Sequence, residues 1–289
     1  MQSTMTKTWT VRQVRVTPEI ARTWLLRNKN PRKLRPHHVA FLCRVALSGA
    51  WGLDVNAIVF DWNGHLINGQ HRLTMIAQTG IPQVFIVVEG ADPEIAKHID
   101  SGGMNRSMGD IIKMIDPKAA EPSIVAAVCS LVWRYQNTSL MDAHRIGGHE
   151  VSKVLSEHPG VVRSVSFIRG NLPCPKAPLA FVHYAAWTGA PVEADAWANA
   201  VTRGNTGLTC PARVLREYLL KNSQSWLGTT MRNTLMRGLV RCWNGFIDGE
   251  RMERFQMFTR TTKIHEIRGC LIGRSALGSG VEPESESEE

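Results

Sequence analysis

Residues 60–73 read Phe60-Asp61-Trp62-Asn63-Gly64-His65-Leu66-Ile67-Asn68-Gly69-Gln70-His71-Arg72-Leu73, and their order decides the fold of the N-terminal third. Ala57-Ile58-Val59-Phe60 is a short apolar run, Asn63-Gly64 is a strong hairpin signal, and Leu66-Ile67 is the return strand. Leu73, Ile76 and Ala77 then recur at helical spacing until Gly80 stops the helix. Asn68-Gly69-Gln70-His71-Arg72 therefore forms a strand-to-helix elbow. Backbone N–H groups and the positive end of the helix dipole attract an anion at such a helix start. Gly69 lets the backbone approach a ligand closely. Arg72 offers a planar fork suited to phosphate, and His71 donates or accepts near neutral pH.

Working outward, Trp9, Val11, Val14 and Val16 alternate roughly as a half-buried strand. Thr17-Pro18 opens a helix running to about Arg27. The basic loop Asn28–Arg35 leads into a helix over Pro36–Ser48, and Val84–Val88 reads as a buried strand after the elbow helix. A short helix follows Asp92-Pro93, a Gly-rich loop covers Asp100–Arg106, and Ser107 caps a further helix. Pro117–Pro122 reads as a boundary by its Pro, Lys and Glu content. Beyond it the periods are helical: Ile124–Tyr135, His149–Glu157, Leu179–Trp187, Ala194–Thr202, Pro211–Lys221 and Thr229–Phe246. From Gly269 the chain is rich in Gly, Ser and Glu. The expected organisation is an α+β domain at 8–116, an all-helical domain at 120–265 and a disordered acidic tail at 269–289.

Hydrophobic residues make up 43% of the 289, enough for a sizeable core. No apolar run approaches the roughly 20 residues of a membrane helix, and Met1–Lys7 has no apolar leader core, so the expectation is a cytoplasmic protein without membrane contact. Six scattered cysteines with no CxxC pair fit reduced thiols better than a disulfide framework or a zinc site. The net charge of +9 includes five glutamates in the last eight residues, so the remainder is more basic still. That balance points to a polyanionic partner, most simply DNA. No serine-protease, glycosidase or Walker signature is present. Gly64–His71 comes nearest to a P-loop, with Gln70 and His71 where Lys and Ser/Thr are required, so phosphate binding rests on the elbow.

From Thr8 to Met114 the chain resembles the ParB/sulfiredoxin-like superfamily, in the branch that carries a GQHR box. The box is Gly69-Gln70-His71-Arg72. Ser48-Gly49-Ala50-Trp51 matches a small-Gly-x-Trp element before the hairpin, and Val84–Val88 matches a strand after the box helix. Ile99-Asp100-Ser101-Gly102 with Arg106-Ser107 matches a later element. Asn68 stands where a related box often has Asp, and Gln70 stands where sulfiredoxins carry their catalytic Cys, which argues against sulfinic-acid reduction. The resemblance implies a pocket for the phosphates of ATP or CTP. Members use it for kinase chemistry, nucleotide-gated clamping on DNA, or nuclease activity, and many with this box are phage-encoded or sit in DNA-modification contexts. A phage-type protein would work in the host cytoplasm.

These readings combine into one expected site. Asn68, Gly69, Gln70, His71 and Arg72 hold nucleotide phosphates, with Arg106 and Ser107 of the Gly-rich loop at a second phosphate. Asp100 binds Mg²⁺ or acts as base, with His71 as a second catalytic group. Arg32, Lys33 and Arg35 contact nucleotide or DNA phosphate. The leading expectation is a nucleotide-binding phosphotransferase or NTPase acting on or with DNA. The alternative is a non-enzymatic DNA-binding protein with a nucleotide switch. A nuclease ranks lowest, because no clustered Asp/Glu metal site is visible.

Overall fold

The computed structural model describes residues 9–29, 33–52, 54–94, 107–141, 144, 146–170, 172–222, 229–255 and 266–273, with 54–55 and 229–231 as backbone alone. The fold is mixed α+β. The chain divides into two compact units, Met1–Asn105 and Arg106–Glu289.

In the first unit the order is β1 (Thr10–Val16), α1 (Pro18–Leu25), α2 (Pro36–Leu47), β2 (Asp54–Asp61), β3 (Leu66–Asn68), α3 (Gln70–Thr79) and β4 (Gln83–Ala91). Thr17 caps α1 through its hydroxyl, which accepts from Ile20 N, and Pro18 occupies the first turn. The sheet order is β1-β4-β2-β3, with β2 and β4 parallel and the outer pairs antiparallel. Apolar side chains of α1, α3, β2 and β4 form one core, in which Ile58, Phe60, Leu66, Leu73, Ile76, Phe85 and Val87 are fully or almost fully buried. Trp51 packs edge-on to Phe85 at 5.7 Å, so it joins this core.

The hairpin closes over Trp62-Asn63-Gly64. Gly64 adopts φ 78°, and Asp61 exchanges backbone bonds with His65 O and Gly64 N. The Asp61 carboxylate accepts from the N–H groups of Asn63 and His65 at 2.8 Å each. Between Asp54 and Ile58, β2 advances four residues while β4 advances two, from Phe85 to Val87. The intervening residues therefore leave the regular ladder.

The second unit contains α4 (Met108–Ile115), α5 (Pro122–Asn137), α6 (Gly148–Glu157), α7 (Gly160–Phe167), α8 (Lys176–Trp187), α9 (Pro191–Arg203), α10 (Pro211–Lys221) and α11 (Thr229–Ile247). The division lies earlier than the boundary read from Pro117–Pro122, and α4 goes with the helices. Ile112 is buried in their core, and Gly109 sits so close to Ser123 that a Cβ would meet its hydroxyl at 2.7 Å. Trp197 and Trp243 are fully buried and meet edge-on at 5.9 Å. Their ring N–H groups donate to Cys242 Sγ and Arg268 O, so they are core residues and not base-stacking platforms.

The expected tail is corrected at its start. Leu271 N donates to Thr188 Oγ1 at 2.9 Å and Ile272 is buried, so 269–273 packs on the helices. Residues 274–289 lie outside the described residues. All six cysteines are free thiols, and burial pushes Cys129, Cys174 and Cys242 up to about 12. No helix among the described residues is long and apolar enough to cross a membrane.

Two imidazoles make the helical unit sensitive to acid. Burial pushes His158 and His183 below their ordinary value of 6.5, and for His183 the hydrogen bond to Asp195 only partly opposes it. The folded chain thus binds fewer protons than the unfolded chain just below pH 6.5. Their contribution to stability is complete above the unfolded value and is lost as pH falls toward the folded one. Asp195 behaves differently. Burial works to raise its carboxyl, hydrogen bonds from Arg163 and His183 outweigh burial, and its contribution is lost only at lower pH. The melting temperature should fall between about pH 7.5 and about pH 5, and His183→Gln should fall less steeply. Thermal melts by circular dichroism at matched ionic strength measure this; equal slopes would show that His183 is not held neutral.

Candidate functional site

The elbow is fixed by glycine. Gly69 adopts φ 112°, and a side chain there would place Cβ 3.0 Å from Ile58 Cγ1. Both the backbone angle and the close approach to β2 require its absence. The first backbone bond of α3 runs from Leu73 N to Gly69 O at 3.0 Å. Helical geometry gives the N–H groups of Gln70, His71 and Arg72 no acceptor within the helix, and they point out of its positive end.

Arg72 does not aim its fork at the elbow. It is nine-tenths buried, and its terminal nitrogens donate to the carbonyls of Asn56 and Ala57, the latter at 3.1 Å. These carbonyls belong to the stretch of β2 that leaves the ladder. A carbonyl outside the ladder lacks a strand donor, and the guanidinium supplies one. The expected phosphate fork is thus a fastening between α3 and β2. Asn68 adds to it, with Nδ2 donating to Ala57 O at 3.3 Å.

The box also holds the basic loop. Gln70 is buried, and its Oε1 accepts from Asn28 Nδ2 at 2.9 Å. His71 Nε2 accepts from the backbone N–H of Arg35 at 3.0 Å, so in the neutral ring the proton resides on Nδ1. His38 lies edge-on to His71 at 5.2 Å. Lys33 and Arg35, read separately as DNA contacts, are exposed on the segment that His71 holds. The structure therefore brings Lys33, Arg35, Gln70 and His71 into one neighbourhood at the start of α3.

The other expected members belong to the second unit or lie outside the described residues. Ser107 belongs to the second unit and closes a capping box on α4: its hydroxyl accepts from Asp110 N at 3.1 Å and donates to Asp110 Oδ2 at 2.8 Å. Ser107 is thus the cap of α4, with its hydroxyl engaged by Asp110. Arg32, Asp100 and Arg106 lie outside the described residues. No group of three His, Cys, Asp or Glu side chains among the described residues converges for a metal ion.

A recess of about 440 Å³ opens at the hairpin end of the sheet, lined by Arg27, Phe60, Asp61, Trp62, Gly64 and Glu89, among others. None of the box residues lines it. The elbow remains the better candidate, because Asp61 is spent on the hairpin turn and Glu89 on an ion pair with Arg12. The residues that sequence reading missed are Asn28, which it placed in the loop without a role, and the carbonyls of Asn56 and Ala57. Comparison with protein families, curated proteins and solved structures gave no match to this chain.

Arg72→Ala should destabilise the first unit without any ligand, by about 1.5–3 kcal/mol for each charged hydrogen bond lost. Arg72→Lys should recover only part, since an ammonium cannot reproduce the fork. Urea unfolding with hydrogen exchange over residues 54–79 reads both effects. An unchanged midpoint with unchanged exchange would refute the fastening.

Proposed function

We propose that this chain is a ParB/sulfiredoxin-like nucleotide-binding protein that acts on or with DNA, and that the elbow at Gly69 receives nucleotide phosphates. The observation that carries this reading is the bond from Arg35 N to His71 Nε2, which holds an exposed Lys/Arg segment against a glycine-built helix start. Two independent sources of positive potential then converge on one place. The N–H dipoles of α3 act at short range, and Lys33 and Arg35 supply full charges.

In this reading the phosphates of ATP or CTP lie at the start of α3, where the helix dipole and the charges of Lys33 and Arg35 meet. Arg72 and Asn68 keep the elbow's shape, and Gln70 orients the loop through Asn28. Phosphoryl transfer or hydrolysis is the activity proposed, with nucleotide-switched DNA binding as the alternative. Asp61, the buried carboxylate of the first unit's described core, has its oxygens on Asn63, His65 N and the His65 ring, so it does not suit Mg²⁺. Asp100 is proposed as the base.

The test is calorimetric titration of the full chain with ATP, CTP, GTP and UTP in magnesium buffer, followed by a turnover assay on any nucleotide that binds. One nucleotide should bind, and the double variant Lys33→Ala/Arg35→Ala should weaken it at least about tenfold, as loss of one charge-assisted phosphate contact predicts. Binding with turnover supports the enzyme, and binding without turnover but with altered DNA affinity supports the switch. If no nucleotide binds, with or without DNA present, the phosphate assignment of the elbow is lost.

A further inference from the structure

A second basic recess lies in the helical unit. The helices α7 and α9 both pack on α8. Arg163, Ser166, Phe167, Arg169, Asn199 and Arg203, from α7, its C-terminal end and α9, line a recess of about 410 Å³. All three arginines are exposed. Arg203 has no partner among the described residues, and Arg169 spends only its Nε, on Ser166 O at 2.6 Å.

Arg163 is held rigidly. Its two terminal nitrogens donate to both oxygens of Asp195, at 3.2 and 2.8 Å, and its charge lies over the rings of Phe167 and Trp187. Asp195 is shared with His183 Nε2 at 3.0 Å, and the fully buried His183 ring stacks flat on Phe167 at 4.9 Å. Of the three guanidinium groups only Arg163 is paired with a carboxylate, and the rings of Phe167 and Trp187 limit its movement.

We infer that this recess binds the phosphate backbone of duplex DNA, an inference that rests on the reading of the chain as a protein acting with DNA. The donors are right for phosphate: two exposed guanidinium groups with unspent nitrogens, an amide at Asn199 and a hydroxyl at Ser166. The aromatic floor is wrong for single strands. Phe167 is the one ring that lines the recess, and it is already stacked on His183 and met by Arg163, so it offers an unstacked base a poor platform. A surface with cationic donors and no stacking ring follows the backbone without reading sequence.

The test uses the full chain carrying Arg169→Ala and Arg203→Ala, leaving the structural Arg163 in place. Fluorescence anisotropy against a 5′-labelled duplex of about 20 base pairs, over a series of salt concentrations, gives the slope of log affinity against log salt. Two lost phosphate contacts should make that slope shallower by about 1.8, at about 0.9 per contact. Affinity for single-stranded DNA of the same length should change much less. Both arginines lie at helix C-terminal ends, where a cation also offsets the dipole. If that is their sole use, the variant melts at a lower temperature with an unchanged salt slope, and the inference is overturned. It is equally overturned if the loss falls on single strands rather than duplex, or if the wild-type chain binds no duplex at low salt. Nucleotide affinity of the variant should equal that of the wild type. A wild-type chain that binds no nucleotide, with a salt slope that flattens in the variant, would count against the elbow alone; a nucleotide that binds, with a slope unchanged in the variant, would count against this recess alone.

Discussion

The hold of Arg72 on the carbonyls of Asn56 and Ala57 is the constraint on which the first unit turns. The strand β2 lies between β4 and β3, and its pairing with β4 breaks register before Ile58. The break leaves carbonyls that no strand neighbour serves in the regular way. Arg72 and Asn68 serve them, and Gly69 presses its bare Cα side against Ile58. Three successive residues of β2 thus meet residues 68, 69 and 72. The elbow's shape follows from that seam, since moving α3 would break the bonds to both carbonyls as well as open the core around Leu73 and Ile76.

Much of this was legible in the sequence where a local rule governed it. Asn63-Gly64 gave the hairpin, Thr17-Pro18 gave the start of α1, and the run Leu73, Ile76, Ala77 before Gly80 gave α3. Ser107 was legible as a helix cap, and its capping-box partner is Asp110. What stayed hidden was every pairing across long sequence separation. A guanidinium at a helix start looks the same in one dimension whether it faces a ligand or a strand carbonyl. The β2 register break that decides the matter for Arg72 has no residue signature of its own. The same holds for Asn28 and Gln70, an amide pair set by tertiary proximity alone. The domain boundary was read from Pro and charge content, yet contact, not composition, assigns α4 to the helical unit.

Charge shows the same difference between composition and structure. The net +9 suggests a broadly basic surface, but most arginines of the helical unit have internal work. Arg216 serves the carbonyls of Val201 and Thr202 at the end of α9, Arg241 pairs with Glu250, and Arg268 pairs with Asp248. Arg213 divides its donors between Glu217 and Thr206 O. The basic faces that α10 and α11 suggest in sequence are therefore partly spent on structure. Arg169 and Arg203 at the recess, and Lys33 and Arg35 beside the elbow, are among the exposed cations of the described residues that carry no ion pair. Those positions, rather than the total, determine where a polyanion gains most.

The elbow also separates binding from turnover on chemical grounds. Backbone N–H dipoles and the exposed cations of Lys33 and Arg35 would stabilise a phosphate held there in the ground state and the transition state alike, which lowers a dissociation constant without raising kcat. Turnover needs groups that act on the transferring phosphoryl or its acceptor: a positioned base, and charge that grows in importance as the bond breaks. Arg72 is unsuited to the second role because its terminal nitrogens are already bonded to the sheet. His71 is unsuited to the first through Nε2, which already accepts from Arg35. On the proposed reading, binding would draw on the elbow and the loop it holds, while turnover would need a base other than His71 Nε2 and a charge other than Arg72.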